Sequence, residues 1–283
     1  MTFISRQDLC FPDDGFSVTA AEPWIKVKIS IIQQYLTSYV GTIGGKVDEI
    51  IFIDLFAGNG IYSLGARTDL FAATSLMALS QNLPITKYIL CDKDEDQLRS
   101  LKVRVNKYFR NKNVLLLHGR PEDLPQKFGM YVPKRKRGYR VAVLCVIDPF
   151  SLDFAFETLA QLADQGFDLL IPFTFVLNDR LNDCYYMREA NDKLKRFIGD
   201  QTDIKRFERE VFNNQSFYKK LVQVYESNLL ARGFNTSLSS HRLDSGLMEL
   251  GSYQIGFFSK QFSTKSIQQN VESTRYVQFD LFQ

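Results

Sequence analysis

A chain of 283 residues, 45% hydrophobic and 24% charged, is long enough for one large core with an elaboration and too ordinary in composition for a disordered or collagen-like protein. Its net charge of +3 is too small to argue for a polyanionic partner from the total alone. The four cysteines (Cys10, Cys91, Cys145, Cys184) and two histidines (His118, His241) lack metal-ligand spacing, no segment approaches the ~20 apolar residues of a membrane span, and Met1–Arg6 opens no signal-length apolar run, so a cytoplasmic protein without a metal site is expected.

In chain order, residues up to Glu22 read as an irregular polar arm with a turn at Pro12–Gly15. From Pro23, Trp24, Val27, Ile31, Ile32, Tyr35, Leu36 and Tyr39 recur at three- and four-residue steps, which predicts a helix ending at Gly41–Gly45. Strand one spans Ile50–Asp54. A long loop from Asn59 to Asp69 and a helix over about Phe71–Gln81 follow. Strand two is Tyr88–Cys91, ending at Asp92. The next helix has Asp94, Glu95 and Asp96 first and Arg104, Lys107 and Arg110 later, the order its dipole favours.

Strand three is Val114–Leu117. Strand four, Val141–Ile147, ends at Asp148-Pro149-Phe150. A helix near Phe154–Ala163 precedes strand five, Asp168–Ile171. Asn178–Asn214 is charged and helical in character, without a strong apolar stripe. A helix over Phe217–Ala231 leads to two last strands, near Thr236–Leu238 and over Tyr253–Phe258. The strands are continuous apolar runs, as in a parallel sheet covered on both faces. The alternation predicts an α/β, doubly wound, mostly parallel seven-stranded sheet of Rossmann-like type. The expected organisation is an arm and helix (1–48), a Rossmann-like core (49–177), a helical insertion after strand five (178–216), a helix and strand pair completing the core (217–262), and a tail (263–283).

The run from Ile50 to Gly60 carries most of the functional information. An apolar strand ends on Asp54, and Leu55-Phe56-Ala57-Gly58-Asn59-Gly60 turns at once. In such sheets ligands lie at the carboxyl ends of the strands, near the switch in strand order. Two glycines one residue apart let the backbone approach an adenosine-containing ligand. The third glycine of a dinucleotide fingerprint is replaced by Tyr62-Ser63, which turns the reading from a nicotinamide or flavin towards S-adenosylmethionine. A purely structural glycine turn is the bland alternative. Asp92 after strand two is placed to take ribose hydroxyls in a fork, or to cap the following helix, a role Asp94 can fill instead.

The order Asp54–Gly60, then Cys91-Asp92, then Asp148-Pro149-Phe150 resembles class I S-adenosylmethionine-dependent methyltransferases. With Trp24, Lys28 and Tyr35-Leu36 before strand one, Asp94 after strand two and the late Tyr253 strand, the chain is similar to the bacterial three-Cys-motif partner family over most of its length. The resemblance implies a class I methyltransferase fold with S-adenosylmethionine held by Asp54, Phe56, Ala57, Gly58, Gly60 and Asp92. It also implies a neighbouring cysteine-motif protein of radical-enzyme type and a role in nucleic-acid repair, modification or defence. Where family members carry Gly-Asp after strand three, this chain has Gly119-Arg120-Pro121-Glu122-Asp123, which moves the expected adenine contact to Glu122 or Asp123.

Asp148-Pro149-Phe150 stands where amino-methyltransferases keep an Asp/Asn-Pro-Pro-aromatic step, whose oxygen and carbonyl accept from the target amine while the ring stacks on a flipped base. The second proline is absent here, and a plain strand end with Asp148 capping a helix remains open beside the catalytic reading. Catalytically degenerate binding partner and small-molecule methyltransferase stand as alternatives to a nucleic-acid enzyme.

Basic Lys134–Arg137 is read as a solvated loop on the far side of the sheet. Arg180, Arg188, Lys193, Lys195, Arg196, Lys205 and Arg206 are either the basic face of a substrate lid or a solvated helix with interleaved acids. Gln278, Asp280, Leu281 and Phe282, with Phe279 between, resemble the peptide by which bacterial replication and repair proteins dock on the sliding clamp. A tail strapped across the chain's own surface is the bland alternative.

Overall fold

A computed structural model describes residues 11–65, 67–134, 136–149, 151–152, 154–174, 183–199, 204–243, 245 and 250–279, with the side chains at 204, 206 and 272–279 outside that description. Phe150, Cys10, Arg135, Arg180 and Asp280–Phe282 therefore lie outside the described residues.

Ten strands are described: β1 Thr19–Ala20, β2 Glu49–Asp54, β3 Ile61–Leu64, β4 Asp69–Ala72, β5 Lys87–Asp92, β6 Val114–His118, β7 Val141–Val146, β8 Asp168–Pro172, β9 Asn235–Arg242 and β10 Ser252–Ser259. Seven form one sheet in the order β6-β5-β2-β7-β8-β10-β9. β6, β5, β2, β7 and β8 run parallel, and β10 lies antiparallel to both β8 and β9. This is the expected Rossmann-like class I methyltransferase fold. Every residue of β7 is buried, and in β2 only Glu49 is partly exposed, so both faces are covered.

The order reverses at β2. The chain leaves it for β5 on one side and later returns as β7 on the other, which opens a crevice above the β2 carboxyl end. Helix α1 (Pro23–Ile43) buries Trp24, Ile32, Tyr35 and Tyr39, and the Tyr39 hydroxyl donates to buried Asp168 at 2.7 Å. It continues through Gly41 and stops at Gly44. Helix α2 is Thr74–Ser80, α3 Glu95–Tyr108, α4 Leu124–Tyr131 and α5 Phe156–Asp164. Short helices Asp183–Arg188, Asn191–Ile198 and Ile204–Arg209 follow β8, and Asn214–Ala231 leads to β9. The stretch read as lacking an apolar stripe buries Leu194, Phe197 and Ile198, with the Phe197 ring stacked on Tyr225. The last helix, Thr264–Phe279, packs on α1: Ile267 and Val271 are buried and Ser38 donates to the Ile267 carbonyl. Among the described residues no helix is long and apolar enough to cross a membrane.

One expectation needs correction. The stretch from Asn59 to Asp69 is not a loop but a hairpin arm: β3 and β4 pair antiparallel, with β1 added in parallel to β3. Ile61, Tyr62, Leu70 and Phe71 are buried there, so apolar burial overrides the irregular look of Gly65–Thr68, and α2 starts at Thr74 rather than Phe71. Arg104, read from sequence only as part of the dipole-favoured charge order of α3, is fully buried. Its Nε and Nη2 each donate to Asp14 at 2.8 Å. Its Nη1 donates to the carbonyls of Ser17 and Asn59, at 2.9 and 2.7 Å, and to Asn59 Oδ1 at 3.1 Å. This fork pulls Asp14 below the usual carboxylate range.

Removing one partner of a buried, fully bonded ion pair leaves the other unpaired, at about 3–5 kcal/mol. Arg104→Met is expected to lower unfolding free energy by that amount in denaturant titration, and Arg104→Lys to recover only part of it.

Candidate functional site

The turn after β2 is held from all sides. Leu55 donates its N–H to Val146 across β7, and Ala57 donates to the Cys91 carbonyl of β5. Asp92 Oδ2 accepts from the Gly58 N–H at 2.9 Å, and its Oδ1 accepts from Asp94. Asp94 in turn caps α3 through the Asp96 and Gln97 N–H groups, so capping falls to Asp94 and Asp92 braces the glycine turn. Asn59 is buried; its amide donates to Thr19 and Gln97 while its Oδ1 accepts from the Ile61 N–H.

The two glycines serve different ends. Gly60 has φ of +87°, and a Cβ there would lie 2.7 Å from Leu101 Cδ1 and 2.8 Å from Leu76 Cγ; core packing demands it. Gly58 has φ of +56°, with no atom within 4 Å of a Cβ placed there. Only Gly58 leaves space that a ligand could take.

A narrow cleft, open to solvent, lies at this turn. It is lined by Asp54, Phe56–Tyr62, Asp148, Ala73, Thr74 and Thr19 of the arm. Asp54, Phe56, Ala57, Gly58, Gly60 and Asp148 are thus brought together as the sequence suggested. Asp92 stands one hydrogen bond behind Gly58. Glu122 and Asp123 sit on a single 3-10 turn (Pro121–Asp123) after β6, outside the cleft lining. Glu122 accepts from Arg196 and Asp123 from Arg120.

Charge in the cleft is arranged unevenly. Asp54 is 2% exposed; its Oδ1 accepts from the Phe56 N–H at 3.2 Å, while its Oδ2 is buried with no hydrogen-bond partner. Burial above all, then the neighbouring Asp148 and Asp92 charges, push its carboxyl up to about 8. Asp148 Oδ2 accepts from Lys28 Nζ at 2.6 Å and its Oδ1 from Thr174 at 3.1 Å. Lys28 is 1% exposed and lies 5.7 Å from the Trp24 ring. Tyr62 lines the cleft from the hairpin, with its hydroxyl pushed well above its usual value by burial and by Asp148 and Asp54, so it stays protonated. Among the described residues no group of His, Cys, Asp and Glu is arranged to hold a metal. The reading of the residues did not assign roles to Lys28, Thr174 or Tyr62. A lone lysine on an otherwise apolar helix face was the one available signal, for Lys28.

The chain matches no protein-family model and no curated protein. Among solved structures, protein LPL1258 of Legionella pneumophila is 12% identical, with 87% of this chain and 91% of that one covered at a TM-score of 0.49. An O-methyltransferase of Bacillus cereus, solved with SAH, is 10% identical over 87% and 84% at 0.44. The O-methyltransferase TomG of Streptomyces achromogenes, solved with SAM, is 11% identical over 89% and 91% at 0.43. Likenesses of that strength bear neither on the residues of the cleft nor on its ligand.

Two expected outcomes follow from this geometry. Gly60→Ala, forced into both leucines at positive φ, should cost about 2–4 kcal/mol in denaturant unfolding, whereas Gly58→Ala should cost only about 1–2 kcal/mol. Because Asp54 titrates higher folded than unfolded, its contribution is complete below about pH 4 and is lost as pH rises through about 8. Wild-type stability measured against Asp54→Asn should therefore fall by a few kcal/mol over that interval, and parallel pH profiles would count against it.

Proposed function

We propose that the protein is an S-adenosylmethionine-dependent methyltransferase acting on nucleic acid, DNA or RNA, in a cytoplasmic modification, repair or defence setting. One observation carries the reading. At the switch in strand order the chain offers a buried carboxyl with a spare oxygen, Asp54 Oδ2, beside a glycine whose missing side chain leaves open space. Phe56, Ala57 and Gly58 would line the nucleoside and amino-acid parts, and Asp92 would reach the ribose with the lone pairs that Gly58 and Asp94 leave unused. Glu122 or Asp123 would approach the adenine only if their arginine contacts yield. The bound cofactor supplies an electrophilic methyl on a sulfonium.

Asp148 lies on the wall of the same cleft, its charge offset by Lys28 and its carboxylate fixed by Thr174. In this reading Asp148 and the Pro149 carbonyl accept from the N–H of an acceptor amine. This aims the nitrogen lone pair at the methyl, and the proton leaves for water after transfer. Phe150 would supply the stacking face. Exposed Arg188, Lys193, Lys195 and Arg196 after β8 support a nucleic-acid acceptor, and Arg196 reaches the strand-end rim at Glu122. Membership of the three-Cys-motif partner family, a cysteine-motif protein of radical type as partner, and clamp docking through Gln278, Asp280, Leu281 and Phe282 belong to this proposal.

The second reading, a catalytically degenerate methyltransferase-like partner in a repair or defence complex, draws on one feature. Both oxygens of Asp148 are already engaged within the protein. Labelled-methyl transfer to DNA and RNA pools separates the two. The enzymatic reading expects incorporation into one pool, and a loss of about 10²-fold or more in Asp148→Ala, which removes the accepting oxygens, with cofactor affinity nearly unchanged. Cofactor binding without transfer to any polymer would favour the degenerate reading. Because Lys28 would lose its partner, the variant's unfolding curve is recorded alongside.

A further inference from the structure

The carboxyls of the cleft are not equivalent, and the difference bears on what the cleft can hold. Asp148 has a cation against it: Lys28 Nζ lies 2.6 Å from its Oδ2, both side chains being nearly inaccessible to water. Asp92 accepts two backbone N–H groups. Asp54 has one N–H and a second oxygen that is buried without any donor. A buried, ionised carboxylate oxygen without a donor is costly, and the group escapes that cost by keeping a proton. A ligand that brings positive charge changes the balance, because it supplies the missing partner.

We propose that Asp54 holds a proton before ligand arrives and releases it when the cleft takes a group bearing an ammonium or sulfonium charge, so that capture of a cationic nucleoside is coupled to loss of one proton. The step balances simply. The O–H bond of the Asp54 carboxylic acid breaks, the proton passes to solvent buffer, and the carboxylate left behind pairs with the ligand cation. Net charge in the cleft thus stays even, which a permanently ionised Asp54 would not allow in the ligand-free protein.

The groups facing Asp54 fit this account. From α1 comes Lys28, already paired with Asp148; from the end of β5, Asp92; from the segment after β7, Asp148. Tyr62 approaches from β3, with Asp148 and Asp54 both acting on its hydroxyl. The buried thiols of Cys145 on β7 and Cys91 on β5 feel Asp54 and are pushed well above their usual value, so they stay neutral and release nothing near neutral pH. Lys28 acts on Asp54 in the opposite sense, more weakly than burial and the two acidic neighbours, which push Asp54 up to about 8.

The inference rests on the S-adenosylmethionine reading for its choice of probes. The test is calorimetry of the whole protein in phosphate and in Tris at pH 7. Three probes are used: S-adenosylmethionine, S-adenosylhomocysteine, which keeps only the ammonium, and methylthioadenosine, which has neither charge. The buffer dependence of the heat should report about nine-tenths of a proton released per S-adenosylmethionine, and its association constant should rise about tenfold per pH unit up to about 8 and then level. Release with S-adenosylhomocysteine as well would assign the charge to the ammonium; release with S-adenosylmethionine alone would assign it to the sulfonium. Methylthioadenosine should release none.

Asp54→Asn should bind more weakly and without proton release. In the ligand-free protein, the infrared carbonyl band of a protonated carboxylic acid should be present at pH 7 and missing from Asp54→Asn. Binding with buffer-independent heats, equal release by methylthioadenosine, unchanged release in the variant, or absence of the band would each overturn the proposal. No binding of any probe would instead remove the cofactor reading, and the coupling with it.

Discussion

A guanidinium sealed from water organises the end of this molecule at which the cleft lies. Arg104 reaches from the third turn of α3 into the underside of the glycine bend and spends its donors on Asp14, Ser17 and Asn59. Asn59 lies between the two glycines, so the shape of the bend depends on that side chain. The same contacts pin the arm that carries Thr19, whose strand partner is Tyr62 of the hairpin. Arm, bend and hairpin are therefore one unit with a charge at its centre. Such a centre is stable only if every donor finds an acceptor, which makes the geometry all-or-none rather than gradual.

Lys28 is a further buried cation among the described residues. Lys28 projects from α1 to Asp148 and Thr174, which tie α1 to the residues following β7 and β8. The cleft thus has one acidic wall neutralised by the protein and one acidic group, Asp54, that is not. A pair of carboxyls with environments this different is how proteins assign different protonation states to chemically identical groups. The hairpin contributes Tyr62 to the same cleft, a phenol that burial and both carboxyls hold protonated and whose position depends on the hairpin rather than on the seven-stranded sheet.

Most of the sheet was legible in the sequence because buried parallel strands announce themselves as apolar runs. Ile50–Asp54, Tyr88–Cys91 and Val141–Ile147 differ from the observed strands by a residue or so at their ends. The hairpin was not legible. Ile61–Leu64 and Asp69–Ala72 are four residues each around Gly65 and Thr68, too short for a period to show. The burial of Arg104 was not legible either: its partners Asp14 and Asn59 are distant in sequence. The bend itself was readable, but not which glycine serves what: that depends on Leu76 and Leu101, which no local pattern connects to Gly60. Lys28 entered the sequence reading only through the family resemblance, because its partner Asp148 lies 120 residues away.

We propose the crevice above β2 as the seat of a sulfonium nucleoside, and a crystal structure of the protein grown with S-adenosylmethionine is the direct check. The account predicts density for the ligand between the ends of β5, β2 and β7, with backbone against Gly58 and a cationic group within hydrogen-bond distance of Asp54 Oδ2. Density elsewhere, or a crevice closed by Thr19, Tyr62 and Thr74 at saturating ligand, would contradict it.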